Sequence, residues 1–367
     1  MEVAGKVWIA AGGTGGHIFP ALAFGRWITE NKKAERVVYL SGNRPLEAEI
    51  YASQGIVPYC LPLAGSPLGS SSLAGRLGRW AGLLSSFFRV GRLLARGRPD
   101  VCFLFGSYVS LAPLLWCRLL RIPTVIHEQN ACAGKVTRLA ARLGAHVASG
   151  WAECRNIGAF VYVGIPIRPM KKISRKEAAT ALGVDAGEEN LVIGVAGGSL
   201  SSVSLASLAG RVARIDSPRT PKMVVVVLGG SPPDAAPDSF GSRVRFVGRR
   251  WDMTPFYSLC NVVVCRAGAS TLAELAALGI PSLAVPWKNA ADGHQEANAR
   301  CFAALTGNPI WDEEDEPALD AALMQLLDFS CSRAESAETI KENSPNEALW
   351  QRASSSSPTT HGFQKSV

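Results

Sequence analysis

The sequence lacks several features that would assign a protein to a simple class. No apolar run reaches the roughly 18 residues that a membrane-spanning helix needs. The nine cysteines include no C-x-x-C pair, which argues against both a zinc site and a disulfide framework. The chain also has no D-x-D motif and no His/Cys cluster with the spacing of metal ligands. We therefore expect a globular protein with reduced thiols that uses no metal and no other cofactor.

Acidic residues are scarce in one part of the chain. Between Glu49 and Glu128 the only acid is Asp100, and the whole chain carries a net charge of +8. Basic residues gather at 75–99, GRLGRWAGLLSSFFRVGRLLARGRP, where they alternate with Trp, Phe and Leu at helical spacing. A helix of this kind suits an anionic membrane surface, and its charge would also suit nucleic acid. A helix that packs on the core and has a solvated basic back explains the same pattern.

Apolar runs alternate with helical patterns along most of the chain. The runs begin with VWIAAGG at 7–13 and continue to PSLAVPW at 281–287. Most are continuously apolar, which is typical of strands buried on both faces of a parallel sheet. Helices between such strands indicate a doubly wound arrangement. We predict an α/β protein made of two doubly wound, Rossmann-like domains that face each other across a cleft.

The domain limits follow from where this pattern restarts. The segment VYVGIPIRP at 161–169 separates the two series of strands, and a capping box then opens a helix at Ser174. We expect domains at 1–167 and 168–335. Residues 336–367 are polar and rich in Ser and Thr, so we expect a tail there with one helix at NEALWQRA and a disordered end.

Glycine-rich turns follow the first strand of each half. They read GGTGGH at 12–17 and AGGSLSS at 196–202. A turn of this kind before a helix presents bare backbone N–H groups to an anion. Neither the ATPase P-loop nor the dinucleotide fingerprint fits, because G-K-[ST] is absent and Ile18 stands where the third glycine would be. Each loop alone also fits a tight structural turn, but two of them across a cleft indicate a ligand held between the halves.

A third element, CRAGASTLAELAALG, joins a predicted buried strand to a helix. Ser270 and Thr271 stand at the predicted N-terminus of that helix, and Gly279 is its expected C-cap. The helix N-terminus would accept a phosphate, and Glu274, one turn later, would accept both hydroxyls of a ribose. Glu274 is equally explained as an acid that complements the helix dipole.

Four motifs together carry a resemblance. GGTGGHIFPALA, HEQNACAGKVTRLA, CRAGASTLAE and AADGHQEANA closely resemble, in the same order, the motifs of the MurG glycosyltransferases. These enzymes transfer N-acetylglucosamine (GlcNAc) from UDP-GlcNAc to undecaprenyl-pyrophosphoryl-MurNAc-pentapeptide, which converts lipid I to lipid II in peptidoglycan synthesis. The resemblance spans about residues 7–328. It implies the GT-B fold and inverting transfer to the 4-hydroxyl of MurNAc.

The resemblance also implies where such a protein works. Its partners would be UDP-GlcNAc, lipid I and other cell-wall enzymes, and it would attach peripherally to the cytoplasmic face of the plasma membrane. The first domain would face the acceptor and the membrane, and the second would bind the UDP-sugar. Residues 75–99 are the segment that we expect on the anionic membrane surface. A nucleic-acid partner would explain the net charge but not the paired glycine loops, so we expect none.

The positions that match the family's motifs form two sets. The donor-side positions are Ala269, Ser270 and Thr271 near the phosphates, Glu274 at the ribose, Ser199 near the diphosphate, Arg250 and Trp251 at the uracil, Gln295, His294 and Asn298 around the sugar, Asn130 reaching the sugar from the first half, and Arg168 at the domain junction. The acceptor-side positions are Thr14, Gly15, Gly16 and His17. Both sets are what the resemblance implies for this chain.

His17 is the residue that we expect to remove the proton from the attacking hydroxyl. A histidine that only donates to the acceptor pyrophosphate fits the same position, and Asp100 and Glu128 are lesser candidates for the base. The charge on the leaving UDP would be stabilised by helix N-termini, hydroxyls and Arg168 rather than by a metal.

The sequence departs from the family pattern at three positions. Leu200 and Ser201 stand where the diphosphate loop usually has glutamine and glycine, and Ile165 replaces the asparagine of the domain junction. Three other interpretations stay open: a GT-B transferase with another lipid acceptor, a UDP-sugar epimerase on the same fold, and, because of the altered diphosphate loop, a catalytically silent subunit that binds a UDP-sugar.

Overall fold

The computed structural model describes residues 3–65, 73–171, 173–197, 203–215, 222–229, 243–315, 318–333 and 344–354. Its strands are β1 (Ala4–Ala10), β2 (Ala34–Ser41), β3 (Tyr59–Cys60), β4 (Val101–Leu104), β5 (Thr124–Glu128), β6 (His146–Ser149), β7 (Val161–Tyr162), β8 (Leu191–Ala196), β9 (Met223–Leu228), β10 (Val244–Val247), β11 (Val262–Arg266) and β12 (Ser282–Val285). Its helices are α1 (Gly15–Glu30), α2 (Pro45–Ser53), α3 (Leu73–Ala95), α4 (Leu111–Leu119), α5 (Lys135–Arg142), α6 (Arg175–Leu182), α7 (Val203–Ala213), α8 (Thr254–Leu259), α9 (Ala269–Leu278), α10 (His294–Thr306), α11 (Ala318–Arg333) and α12 (Ser344–Ser354).

The strands form two separate sheets. The first has the order β3-β2-β1-β4-β5-β6-β7, and the second has the order β10-β9-β8-β11-β12. Every pairing between neighbouring strands is parallel. The central strands β4 and β11 are buried along their whole length, because helices cover both faces of each sheet. The predicted α/β class with two doubly wound sheets is therefore confirmed, and β7 is a strand that the sequence did not predict.

Each sheet reverses its strand order at one point, and the loops of interest lie there. The order reverses between β1 and β4 in the first sheet and between β8 and β11 in the second. At such a point the connections from neighbouring strands leave toward opposite faces, which opens a crevice at the carboxyl ends of the strands. The loops after β1 and β4 border the crevice of the first domain, and the loop after β11 borders that of the second.

The polar C-terminal stretch contains a helix, α12, that packs on the first domain. Leu349 and Trp350 are buried, and the Trp350 ring stacks on Phe103 with 6.0 Å between the ring centroids. Pro345 lies beside Gly164, where φ is +82° and a Cβ would come within 3.1 Å of the proline ring. The helix expected at NEALWQRA is confirmed, and it holds the junction segment against the first domain.

Ser107 lies between β4 and α4 in a backbone conformation that side chains rarely adopt. Its φ is +65° and its ψ is 163°, a region that is essentially restricted to glycine. Its hydroxyl is buried and has no hydrogen-bond partner among the described residues. The oxygen lies 3.0 Å from the point where a Cβ on Gly13 would stand. Strain of this kind costs about 1–3 kcal/mol and is concentrated at functional sites.

Replacing Ser107 with glycine should stabilise the protein, because glycine adopts this conformation without strain. We expect Ser107→Gly to raise the free energy of unfolding by about 1 kcal/mol, after the larger entropy loss of glycine on folding is subtracted. Urea titration measures the change. Ser107→Ala is the control, since it removes the hydroxyl but keeps the Cβ. Equal stability of the two variants would contradict the assignment of strain.

Candidate active site

A buried carboxylate, that of Glu47, holds the glycine loop between β1 and α1 through a hydrogen bond. Glu47, on α2, accepts a hydrogen bond from the Gly13 N–H at 2.8 Å. It also accepts hydrogen bonds from the hydroxyls of Ser41 at 3.0 Å and Tyr108 at 2.5 Å. A Cβ on Gly12 would stand 2.4 Å from Cγ2 of Val109 and 3.1 Å from the Glu47 carboxylate, so this position requires glycine. The loop therefore has a fixed shape before any ligand binds.

His17 is the third residue of α1 and is partly buried. Its ring packs against Gly106, where a Cβ would stand 3.3 Å from the ring carbon Cε1. Its Nδ1 lies 2.7 Å from Oε1 of Gln129. Within the described part of the chain, Nε2 forms no hydrogen bond. The ring therefore has one committed nitrogen and one that is available to a substrate.

The two lesser candidates for the base do not have this freedom. Asp100 precedes β4 and accepts a hydrogen bond from the Lys6 N–H, so it lies at the amino ends of the strands, at the edge opposite His17. Asp100 as the base is therefore wrong. Glu128 is buried and its two oxygens accept hydrogen bonds from the backbone of Asn130 and Gly134 and from the Thr137 hydroxyl. Glu128 shapes the loop that follows β5.

Asn298 joins the two domains through its side-chain amide. It is completely buried, and its Oδ1 accepts a hydrogen bond from the Ala131 N–H at 2.7 Å. Its Nδ2 donates to Oδ1 of Asn130 at 3.1 Å and to the Ala267 carbonyl at 3.0 Å. The amide thereby links the loop after β5 in the first domain to the loop after β11 in the second. A direct contact between Asn298 and the donor sugar stays a prediction.

The N-terminus of α9 meets the glycine loop of the first domain. The Ser270 hydroxyl donates a hydrogen bond to the Gly16 carbonyl at 2.9 Å. Gly268 precedes the helix and has no side chain to cap it, so the first N–H groups of α9 are suited to an anionic ligand. Ala269 is buried and Thr271 is partly exposed beside this N-terminus. Gly279 ends the helix in the left-handed conformation, as predicted.

Glu274 and Arg168 form a buried, bidentate ion pair between the junction and the second domain. Nε of Arg168 donates to Oε1 of Glu274 at 2.8 Å, and a terminal nitrogen donates to Oε2 at 3.0 Å. The Tyr257 hydroxyl donates to Oε2 at 2.8 Å, and burial followed by the nearby carboxylate raises the pKa of that phenol. The guanidinium also lies 4.1 Å from the Phe19 ring centroid and donates to the Trp251 carbonyl at 2.6 Å.

The hydrogen bonds on Glu274 limit how it can receive a ribose. A carboxylate offers about four lone-pair sites, and three donor contacts are already present. One ribose hydroxyl can be added without loss, whereas a second requires Arg168 or Tyr257 to give up a contact. Arg168 would then be free to turn toward a diphosphate.

Family models and curated relatives match this chain over most of its length. The model of the glycosyltransferase family 28 N-terminal domain matches residues 7–149, and that of the family's C-terminal domain matches residues 192–349. UDP-N-acetylglucosamine--N-acetylmuramyl-(pentapeptide) pyrophosphoryl-undecaprenol N-acetylglucosamine transferase from Alkalilimnicola ehrlichii is 34% identical over 322 residues, which cover 86% of this chain and 88% of the relative. The protein of the same name from Rhodospirillum rubrum is 35% identical over 333 residues, covering 87% and 83%.

The chain belongs to glycosyltransferase family 28.

Solved structures agree with this assignment at the level of the fold. MurG from Acinetobacter baumannii superposes with a TM-score of 0.67 at 22% identity, covering 95% of this chain and 99% of that one. The spinosyn rhamnosyltransferase SpnG superposes with a TM-score of 0.61 at 16% identity, covering 95% and 97%. The predicted GT-B fold is confirmed.

The remaining predicted positions of this family 28 protein vary in their contacts. Gln295, near the start of α10, accepts a hydrogen bond from the Trp287 N–H at 2.9 Å, and Nδ1 of His294 lies 2.7 Å from the Ala291 carbonyl. Arg250 is exposed, beside Trp251. The diphosphate-loop positions Ser199, Leu200 and Ser201 lie outside the described residues.

Sequence reasoning missed the polar groups that support the site. Glu47 and Tyr257 reach it from helices with no motif of their own, and only burial in the folded chain reveals them. Gln129 and His127 belong to the HEQN motif, yet neither was singled out. A polar pair inside an otherwise apolar strand end is the one sequence signal that would have found them.

His127 is fully buried at the end of β5, behind His17. Its Nε2 lies 2.8 Å from the Gly164 carbonyl, and its Nδ1 lies 3.0 Å from Nε2 of Gln129. Burial lowers the pKa of His127 to about 4, against the ordinary value of 6.5. The imidazole is therefore neutral wherever the enzyme is folded near neutral pH.

The shifted pKa predicts loss of stability in acid. Between pH 6.5 and 4, His127 binds a proton in the unfolded chain but stays neutral in the folded protein. The contribution of neutral His127 to the free energy of unfolding is therefore complete above pH 6.5 and is lost as the pH falls toward 4. It amounts to something on the order of 3 kcal/mol. We expect His127→Gln to flatten the fall in unfolding free energy over this range. His146→Gln changes a less buried histidine and is the control, so it should reduce this pH dependence less. An equal pH dependence of the unfolding free energy in the two variants would contradict the role given to His127.

Proposed function

We propose that this chain transfers GlcNAc from UDP-GlcNAc to the 4-hydroxyl of MurNAc in undecaprenyl-pyrophosphoryl-MurNAc-pentapeptide, with inversion at the anomeric carbon. The names of its relatives state this donor and this acceptor. The observation that carries the proposal is the hydrogen bond from Ser270 to the Gly16 carbonyl. It brings the helix N-terminus on the donor side against the glycine loop on the acceptor side, with His17 one residue further along.

In the proposed reaction, the 4-oxygen of MurNAc attacks the anomeric carbon as its proton passes to Nε2 of His17. The bond from that carbon to the β-phosphate oxygen breaks, and UDP leaves with the electron pair. The N–H groups at the start of α9, the Thr271 hydroxyl and Arg168 stabilise the developing charge, because dipoles and charges fixed in advance need little reorganisation. We propose that no metal takes part in this step.

The donor's other groups have proposed partners in the second domain. Glu274 receives the ribose, the backbone at Arg250 and Trp251 receives the uracil, and Gln295 receives the sugar. The acceptor pyrophosphate lies on the loop that contains Thr14, Gly15 and Gly16. The remaining sugar positions of the proposal are Asn130, His294 and Asn298, and Ser199 completes the diphosphate loop.

Replacing His17 tests the chemical step. We expect His17→Ala to lower kcat by roughly 10²–10⁴-fold, the usual contribution of a positioned base, without weakening UDP binding. The assay follows radiolabelled GlcNAc from UDP-GlcNAc into a short-chain lipid I analogue in the presence of EDTA.

His146→Ala is the matched control for this assay. His146 begins β6 at the amino ends of the strands, far from the glycine loop, and it should retain full activity. Full activity in His17→Ala would show that His17 is not the base. Activity that EDTA abolishes and magnesium restores would contradict the proposal that no metal takes part in the transfer.

We also propose that α3 docks the protein on an anionic membrane. No helix among the described residues is long and apolar enough to cross a bilayer. Four side chains of α3 form an exposed apolar stripe at helical spacing: Leu77, Trp80, Leu84 and Phe88, each more than half exposed. Exposed arginines on the same helix are Arg76, Arg89 and Arg92, and the exposed Arg96 follows its last residue. Exposed apolar side chains among cations are typical of a helix that lies at a membrane interface. Val90, on the opposite face of α3, packs on the core.

Serine replacements in the α3 apolar stripe should weaken membrane binding. Burying one leucine side chain contributes about 1.5–3 kcal/mol, so Leu77→Ser with Leu84→Ser should lower affinity for vesicles at least about tenfold. Sedimentation with vesicles of anionic phospholipid measures the bound fraction. Leu305→Ser, at an equally exposed leucine on α10, is the control. Unchanged binding of the double variant would contradict the proposal.

A further inference from the structure

Three hydrogen bonds connect the domain junction to His17. They join the Gly164 carbonyl to Nε2 of His127 at 2.8 Å, Nδ1 of His127 to Nε2 of Gln129 at 3.0 Å, and Oε1 of Gln129 to Nδ1 of His17 at 2.7 Å. His127 and Gln129 are both buried, so water does not compete for these contacts. The three links form a continuous relay that ends on one nitrogen of His17.

The carbonyl at the start of this relay sets the direction of every hydrogen bond in it. A backbone carbonyl can only accept, so Nε2 of His127 must carry a proton and donate it. A neutral imidazole then has a bare Nδ1, which must accept from the amide nitrogen of Gln129. The amide oxygen of Gln129 is left facing His17, and Nδ1 of His17 must donate to it.

The opposite direction is excluded by the same contacts. If the Gln129 amide were reversed, its oxygen would face His127, and the proton of a neutral His127 would have to move to Nδ1. The bare Nε2 would then face the Gly164 carbonyl at 2.8 Å, two acceptors without a proton between them. The amide nitrogen also donates to the His127 carbonyl at 3.1 Å, which favours the observed orientation again.

We propose that Gln129, oriented by His127, is a positioning residue that keeps the proton of His17 on Nδ1 and leaves Nε2 bare. This inference rests on the proposed function in one respect, the role of His17 as the base. A base must present a lone pair to the hydroxyl that it deprotonates, and the wrong tautomer would present a proton instead. The relay acts through His17 and touches no substrate.

The surroundings of Gln129 hold the relay in place. The Gln129 carbonyl accepts a hydrogen bond from Nε1 of Trp151 at 2.9 Å, which fixes the backbone of this residue. A Cβ on Gly150 would stand 3.3 Å from the same carbonyl, so the two segments pack closely. At the other end, Gly106 leaves room for the His17 ring to pack against the loop after β4.

The tautomer of His17 can be measured directly, without turnover. Nitrogen NMR of the protein labelled at histidine, assigned with His17→Ala, should show the neutral His17 ring protonated on Nδ1. Gln129→Leu keeps the size of the side chain and removes both polar ends, and it should release His17 into a mixture of tautomers. A wild-type proton on Nε2 would overturn the proposal, whatever the activity of the variants.

Kinetics then separate positioning from a merely structural role. Gln129→Leu and His127→Leu should lower kcat by roughly 10–100-fold, by analogy with the partners that orient metal-binding histidines, with the KM for UDP-GlcNAc and UDP binding unchanged. His127→Gln, which can still donate to Gly164 and accept from Gln129, should recover most of the loss in His127→Leu and keep the Nδ1 tautomer.

Two outcomes distinguish failure of this inference from failure of the proposed function. A wild-type protein that shows the Nδ1 tautomer but no transfer to lipid I would keep the relay and refute the function. A wild-type protein that is active, together with a Gln129→Leu variant that keeps both the Nδ1 tautomer of His17 and the wild-type kcat, would refute the relay and keep the function.

Discussion

The ion pair between Arg168 and Glu274 lies where the two domains meet and organises the contacts around it. Its two side chains are 15% and 3% exposed, and such a pair stabilises a fold only when its remaining hydrogen-bonding groups are satisfied. Tyr257 and the Trp251 carbonyl supply those partners, and the Phe19 ring covers the guanidinium from the first domain. The pair thus joins the junction, α8, α9 and α1 at the point where we propose that the nucleoside binds. In the proposed function, the donor therefore binds to the same carboxylate that holds Arg168 against Phe19.

The proposed acceptor side depends on a different constraint, because buried polar side chains hold its glycine loop in place. Glu47 fixes the loop through the Gly13 N–H, and Gln129 fixes the ring of His17 that follows it. Neither group needs to touch substrate for this effect. The first domain thus presents backbone N–H groups and one histidine nitrogen in a fixed arrangement, and the strain at Ser107 lies directly beside them. A site built in this way requires little rearrangement when charge develops in the transition state.

Much of the fold was predictable because its signals are local. Continuous apolar runs, the capping box at Ser174 and the C-cap at Gly279 each depend on a few adjacent residues, and the structure has all of them. The supporting contacts were not predictable, because they join residues far apart: Gly13 to Glu47 across 34 positions, Arg168 to Glu274 across 106 and His17 to Gln129 across 112. Asp100 is a different case, because its place directly before β4 is a local feature, and that place decides which edge of the sheet it occupies.

A crystal structure of the protein with UDP-GlcNAc would test the central claim most directly, namely that transfer takes place where α9 meets the glycine loop of the first domain. We expect both ribose hydroxyls on the Glu274 carboxylate, one of its present hydrogen bonds to Arg168 or Tyr257 broken, and the diphosphate against the N-terminus of α9. The anomeric carbon should face Nε2 of His17. A nucleotide bound elsewhere, with the ion pair unchanged and His17 turned away from the sugar, would contradict it.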